Sequence, residues 1–153
     1  MADTSVQHEV EDWVRRTWMR QQFGELFYRD RCKLDPGGEF EFDAVSQDGK
    51  TIACISTSSA RTAAGKHGVG KLQKIRADML FLLLAKDVSR RFMVFTESDM
   101  YDLCVSEKAE RKRVPACIEF FHAEIPDEMK QRLCDGRARA SREVSPSALS
   151  LFY

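Results

Sequence analysis

Two acidic side chains and a pair of small neutral ones define the chemistry this chain can attempt. Residues 40–58, FEFDAVSQDGKTIACISTS, have the pattern of a β-hairpin, with Asp43 near the end of its first strand. Opposite lies Ala53-Cys54-Ile55-Ser56-Thr57, a strand without charge. Side chains alternate along a strand, so Cys54 and Ser56 share one face and Ile55 points to the other. Upstream, Glu9 and Glu11 flank the apolar stripe of a helix. Carboxylates such as these are hard oxygen donors of the kind that Mg²⁺ requires. The Cys54 thiol is too soft to join them. As a nucleophile it would need a base and a depressed pKa, of which the sequence gives no sign. The plain alternatives are a strand-end acid at Asp43, a solvated acid at Glu11, a small buried hydrophobe at Cys54 and a polar filler at Ser56.

A second chemical feature is cationic. Residues 61–76, RTAAGKHGVGKLQKIR, carry Arg61, Lys66, Lys71, Lys74 and Arg76, with Gln73 among them, and no acid. Glycines leave backbone N–H groups open at the start of a helix, where the dipole also favours anions. Such a surface suits phosphates, and it would position a nucleic acid without reading its bases. Residues 65–71, GKHGVGK, also satisfy the first seven positions of the phosphate-cradling GxxxxGK[ST] pattern. The pattern fails at Leu72, where a hydroxyl is required for Mg²⁺. An antiparallel hairpin before the loop also argues against a nucleotide-binding fold, which wants parallel βαβ units.

The elements that must carry these groups follow from periodicity. Val6, Val10, Trp13, Val14 and Thr17-Trp18 recur at helical spacing, with Asp3, Thr4 or Ser5 as cap and an end before Gly24. Strands are expected over about 26–34, 39–46 and 51–58, the last two joined by a tight Asp48-Gly49 reversal. Leu72, Ile75, Met79, Leu82 and Leu83 mark one face of a second long helix, to about Lys86. A strand at 92–95, a helix from Ser98 or Asp99 to Lys112, a strand at 117–121 and a helix from Asp127 to about Cys134 complete the order α-β-β-β-α-β-α-β-α.

The chain has 153 residues, 43% of them apolar and 10% aromatic, which suits one domain, over residues 1–140, with a 141–153 extension. Its apolar end, 149–153, would suit docking onto a protein partner or a second copy. With 24 basic and 24 acidic side chains there is no overall field, so anion binding must come from local clustering. Five scattered cysteines and three scattered histidines argue against a zinc site or a disulfide scaffold. The amino terminus lacks the apolar core of a secretory signal, and the longest apolar run, 79–85, falls far short of the roughly 20 residues that span a bilayer. The expectation is a cytoplasmic protein with reduced thiols and no membrane partner.

This order, joined to Asp43 and the strand after it, resembles the restriction-endonuclease-like fold of the PD-(D/E)xK nucleases over roughly residues 5–122. The resemblance implies an α/β fold with an αβββαβ core and a mixed central sheet flanked by helices. In that family a helix acid, a strand Asp and a Glu bind a divalent metal while a Lys orients the attacking water. Carried over, the helix acid is Glu11 or Glu9, the strand Asp is Asp43, and the Glu and Lys positions hold Cys54 and Ser56. The resemblance therefore implies a degenerate nuclease that binds nucleic acid, foremost DNA, through residues 66–76, with no cofactor beyond a weakly held Mg²⁺ at Asp43 and Glu11. The alternatives are an active nuclease with a migrated lysine, Lys66 or Lys71, and a nucleotide hydrolase built on Lys71.

Overall fold

The computed structural model describes residues 4–61 and 68–143. The chain opens with α1 (Ser5–Trp13), widens into a π-helical turn (Val14–Trp18), and closes as α2 (Met19–Phe23). Gly24 ends it at φ 72°, the left-handed conformation glycine adopts without strain. The wide turn explains the apolar spacing: Val6, Val10 and Val14 are buried four apart, and the next buried apolar residue, Met19, comes five later. Thr4 is the N-cap residue, although its side chain makes no capping bond.

Five strands follow in sheet order: β1 (Phe27–Lys33), β2 (Glu39–Ser46), β3 (Thr51–Ser56), β4 (Arg90–Phe95) and β5 (Ile118–His122). The first three pair antiparallel, whereas β3, β4 and β5 run parallel, so the sheet is mixed. The β2–β3 reversal is built as its residues suggest: Gly49 takes φ 73° while Asp48 Oδ1 accepts from Ser46 Oγ (2.7 Å) and the Lys50 amide (3.0 Å). Parallel strands need crossovers, supplied by α3 (Val69–Leu84) and α4 (Ser98–Ala109), and α5 (Asp127–Glu143) follows β5.

Alternation along β3 and β4 feeds two cores. Ile52, Cys54, Met93 and Phe95 pack with Ile75, Met79 and Leu82 of α3 and with Met100 and Cys104 of α4. Ala53, Ile55, Phe92 and Val94 face the opposite layer, against Val10, Val14 and Met19 of the first helix and Leu133 of α5. The fold is thus α/β, a five-stranded mixed sheet between two helical layers. No helix among the described residues is long and apolar enough to cross a membrane.

Several boundaries differ from the sequence reading. α4 stops at Ala109 instead of Lys112, because Lys112 adopts φ 57° and the Arg113 amide turns back to the Glu107 carbonyl at 2.9 Å. α5 runs to Glu143, well beyond Cys134. Its added length is polar, so no apolar stripe announces it. The elements before the glycine-rich loop are the antiparallel β2–β3 hairpin, as expected, and α3 then carries the chain over to β4, which lies parallel to β3.

Candidate active site

Two local irregularities build the site. β1 pairs Asp30 with Phe42 and Tyr28 with Val45, so Asp43 and Ala44 together oppose the single residue Arg29. This is a β-bulge, which bends a strand and re-aims side chains. The bulge leaves two polar groups without ladder partners, and each is met by a neighbour. The Asp43 carbonyl accepts from Arg15 Nη1 (3.1 Å), a buried guanidinium on the π-helical turn that also pairs with Asp12. The Ile55 amide, opposite the bulge, donates to Asp43 Oδ2 at 2.7 Å. The Ile55 group that meets the Asp43 side chain is thus its amide.

A cleft of about 220 Å³ opens at the end of β3 beside α3. Its walls include Glu11 from α1, Ser56 and Thr57 at the strand end, and Lys71, Lys74 and Asp78 from α3. Residues 71, 74 and 78 are three and four apart, which places them on one helix face. Asp43 is not itself among the lining residues, but it accepts from the amide of one of them, Ile55. Lys74 Nζ stands 3.4 Å from Asp78 Oδ2, while Glu11 pairs with Arg29 (3.2 Å) and His8 (3.7 Å).

The three carboxylates share one electrostatic condition. Burial raises the Asp43 carboxyl above its ordinary range, against the Ile55 hydrogen bond and the charges of Lys74, Arg29 and Arg15. Burial also raises Glu11, and the Asp43 charge adds to it. Asp78 is raised by burial and by Asp43, with Lys74 opposing. Lys74 shows the complement: burial pulls its ammonium down, but Asp78, Asp43 and Cys54 outweigh this and raise it. Burial is thus the main cause at all three carboxyls, and repulsion from Asp43 adds to it at Glu11 and Asp78.

A divalent cation would relieve that repulsion, and the donors are hard oxygens. Among the described residues no three His, Cys, Asp or Glu side chains come together as a metal-binding group. Mg²⁺ commonly takes one or two carboxylates and fills its remaining positions with water and phosphate oxygens. Glu11 and Asp43, near enough for the Asp43 charge to act on Glu11, are two hard-oxygen donors of that kind.

The residues singled out from sequence are distributed unevenly. Glu9 belongs elsewhere, paired with Arg132 of α5. Cys54 is 2% exposed, in the core beneath α3, and its thiol is held well above the ordinary range by burial and by Asp78 and Asp43. It does not reach the cleft as a motif position would require. Ser56 does line the cleft, its Oγ accepting from the Ser58 amide at 3.3 Å. The basic run divides: Lys71 and Lys74 face the cleft, whereas Arg76 turns to the far side of α3 and pairs with buried Glu107 of α4 at 3.7 Å. Gln73 is exposed, as is Arg61, whose amide donates to Ser59 Oγ at 3.4 Å. Lys66, with Gly65 and His67 of the glycine-rich pattern, and the apolar tail lie outside the described residues. Leu72 packs against the core, so it offers no hydroxyl function.

Sequence reasoning missed Asp78, Arg15 and Arg137. Asp78 was discoverable: it stands four residues after Lys74, on the same helix face. Arg15 depends on the π-helical turn, which has no sequence signal of its own. Compared with known protein families, curated proteins and solved structures, the chain matches none.

Proposed function

We propose that the protein is a metal-dependent nuclease whose catalytic set is dispersed over a helix, a strand bulge and a second helix. The observation that carries this reading is Lys74. It projects from α3 beside Asp78 and acts electrostatically on Asp43 and Cys54, next to the strand where the nuclease family carries its lysine. The element order and the antiparallel β1–β2–β3 unit support a restriction-endonuclease-like core.

In this reading Asp43 and Glu11 hold the ion, with Asp78 keeping Lys74 in place through their contact. A bound Mg²⁺ would supply charge neutralisation at the phosphoryl oxygen and a more acidic coordinated water. The ammonium of Lys74, a hydrogen-bond donor that stays charged at neutral pH, would orient the attacking water and stabilise charge on the phosphate. Asp43 is fixed before substrate arrives, because the Ile55 amide and Arg15 hold its side chain and backbone. The cationic start of α3 would contact the nucleic-acid backbone, so affinity should fall steeply with salt.

The test is cleavage of labelled DNA and RNA with Mg²⁺ or Mn²⁺. Parent protein should cleave, and Asp43→Ala and Lys74→Ala should each lose about 100-fold or more. Cleavage that survives both substitutions overturns the assignment. A second reading, binding without cleavage, is favoured by Cys54, which is buried where the family carries its Glu. Salt-sensitive binding with no cleavage by the parent would establish that one instead.

A further inference from the structure

The cleft has a second end, built around Lys71. Gly68 leaves room for its stem, since a Cβ placed there would stand 3.1 Å from Lys71 Cδ and 3.4 Å from the Ala60 carbonyl oxygen. Asp99 and Glu97 are near enough to act on the Lys71 charge, yet neither forms an ion pair with it. Each is already engaged. Asp99 accepts from Ser59 Oγ (2.5 Å), the Ala60 amide (3.1 Å) and the Met100 amide (2.7 Å). Glu97 accepts from Arg137 Nη2 at 2.7 Å through one oxygen and from Thr96 Oγ1 at 3.1 Å through the other.

Arg137 comes from the polar part of α5 and also donates to the Thr57 carbonyl at 2.6 Å. It therefore occupies one Glu97 oxygen while adding positive charge near Lys71. Burial and Arg137 both disfavour the charged Lys71, which lowers its pKa. Among the described residues Lys71 is thus a partly buried ammonium without an ion-pair partner, beside acids that are already hydrogen-bonded. Ser56, Thr57 and Ser58 line the cleft beside it.

We propose that Lys71 seats a nucleic-acid phosphate next to the one at the carboxylates, and that Arg137 is the positioning residue that keeps this seat open by holding Glu97. The identity of the polyanion rests on the nuclease reading, but the seat itself rests on the Arg137–Glu97 contact and on Lys71 at the cleft wall. The substrate class follows: a strand with at least two successive phosphates, in preference to an isolated phosphodiester.

The experiment measures binding of a labelled DNA duplex and a labelled single-stranded RNA in EDTA across a salt series. Lys71→Met should weaken binding about tenfold and reduce the salt slope by about one, whereas Lys71→Arg should keep the slope. Arg137→Gln releases Glu97 to neutralise Lys71 and should cause a similar loss. Adding Glu97→Gln to Arg137→Gln should restore binding, a recovery that a merely structural Arg137 would not give. Unchanged affinity and slope in Lys71→Met, or a double variant no better than Arg137→Gln, overturns the proposal. If Asp43→Ala abolishes cleavage while Lys71→Met binds normally, the nuclease reading survives and the seat fails. If the parent cleaves nothing yet loses binding through Lys71→Met, the seat survives and the nuclease reading fails. No binding by the parent to either probe overturns the seat, whatever the cleavage assay shows.

Discussion

Removing the charge of Asp43 should stabilise this protein, provided an oxygen remains in its place. Burial holds the Asp43 carboxyl above its ordinary 3.8, so the folded chain binds that proton more tightly than the unfolded chain. Stability is then lost as pH rises through the raised value, and the loss is complete above it. Asp43→Asn has no such proton, so its advantage over the parent should be smallest at pH 4 and grow to a plateau by about pH 8. Asp43→Ala loses the charge too, but it also leaves the Ile55 amide, now accepted by Oδ2 at 2.7 Å, without a partner. A buried unsatisfied donor costs about 1–3 kcal/mol. At about 2.1 cal/mol/K per residue, the 153 residues give an unfolding entropy of about 0.32 kcal/mol/K, or about 3 °C per kcal/mol. Asp43→Ala should therefore melt about 3–9 °C below Asp43→Asn. Thermal melts in EDTA at pH 4, 6 and 8 measure both quantities. A parent as stable as Asp43→Asn at pH 8, or an Ala variant that melts with the Asn variant, would refute the reasoning.

Other outcomes follow from the same contacts. Phe92 is fully buried, with ring centroids 4.7 Å from Phe23 and 4.9 Å from Phe121, so Phe92→Ala should cost about 3–5 kcal/mol; urea unfolding measures it, and a loss under about 1 kcal/mol contradicts the packing. Thiol labelling of native protein should modify exposed Cys117 and Cys134 first, while Cys54 and Cys104, the latter's pKa pushed up to about 11 by burial and Glu107, react only on unfolding. Gly24→Ala should lower stability by about 1 kcal/mol, because φ 72° strains a residue with a Cβ; an equally stable variant would contradict the assigned helix end.

The features legible in the sequence were those carried by local chemistry. Asp48-Gly49 announces the hairpin because its turn needs φ above zero at the glycine, and Gly24 announces the end of the first helix for the same reason. The element order and the separation of Cys54 from Ile55 across the sheet follow from periodicity alone. What remained hidden depends on partners distant in sequence. The bulge at Asp43 leaves polar groups that only Arg15 and the Ile55 amide satisfy, and nothing near Asp43 in sequence signals either. The polar length of α5 has no apolar stripe, so Arg137 escaped notice although it spans 80 residues to reach Thr57. Asp78 was within reach of sequence reasoning, since it follows the basic run by two residues and shares a helix face with Lys74.

The π-helical turn at Val14–Trp18 makes the opening helix a two-part shaft with an offset between its ends. One extra residue rotates everything before it by about 100° relative to everything after. The Phe23 end can therefore stay anchored on Phe92 while Glu11 points towards the cleft. Deleting exposed Arg16 would straighten the shaft and swing Glu11 out of position with no substitution at the site itself. A single codon lost or gained there is a genetic route by which such a centre could be switched off or assembled.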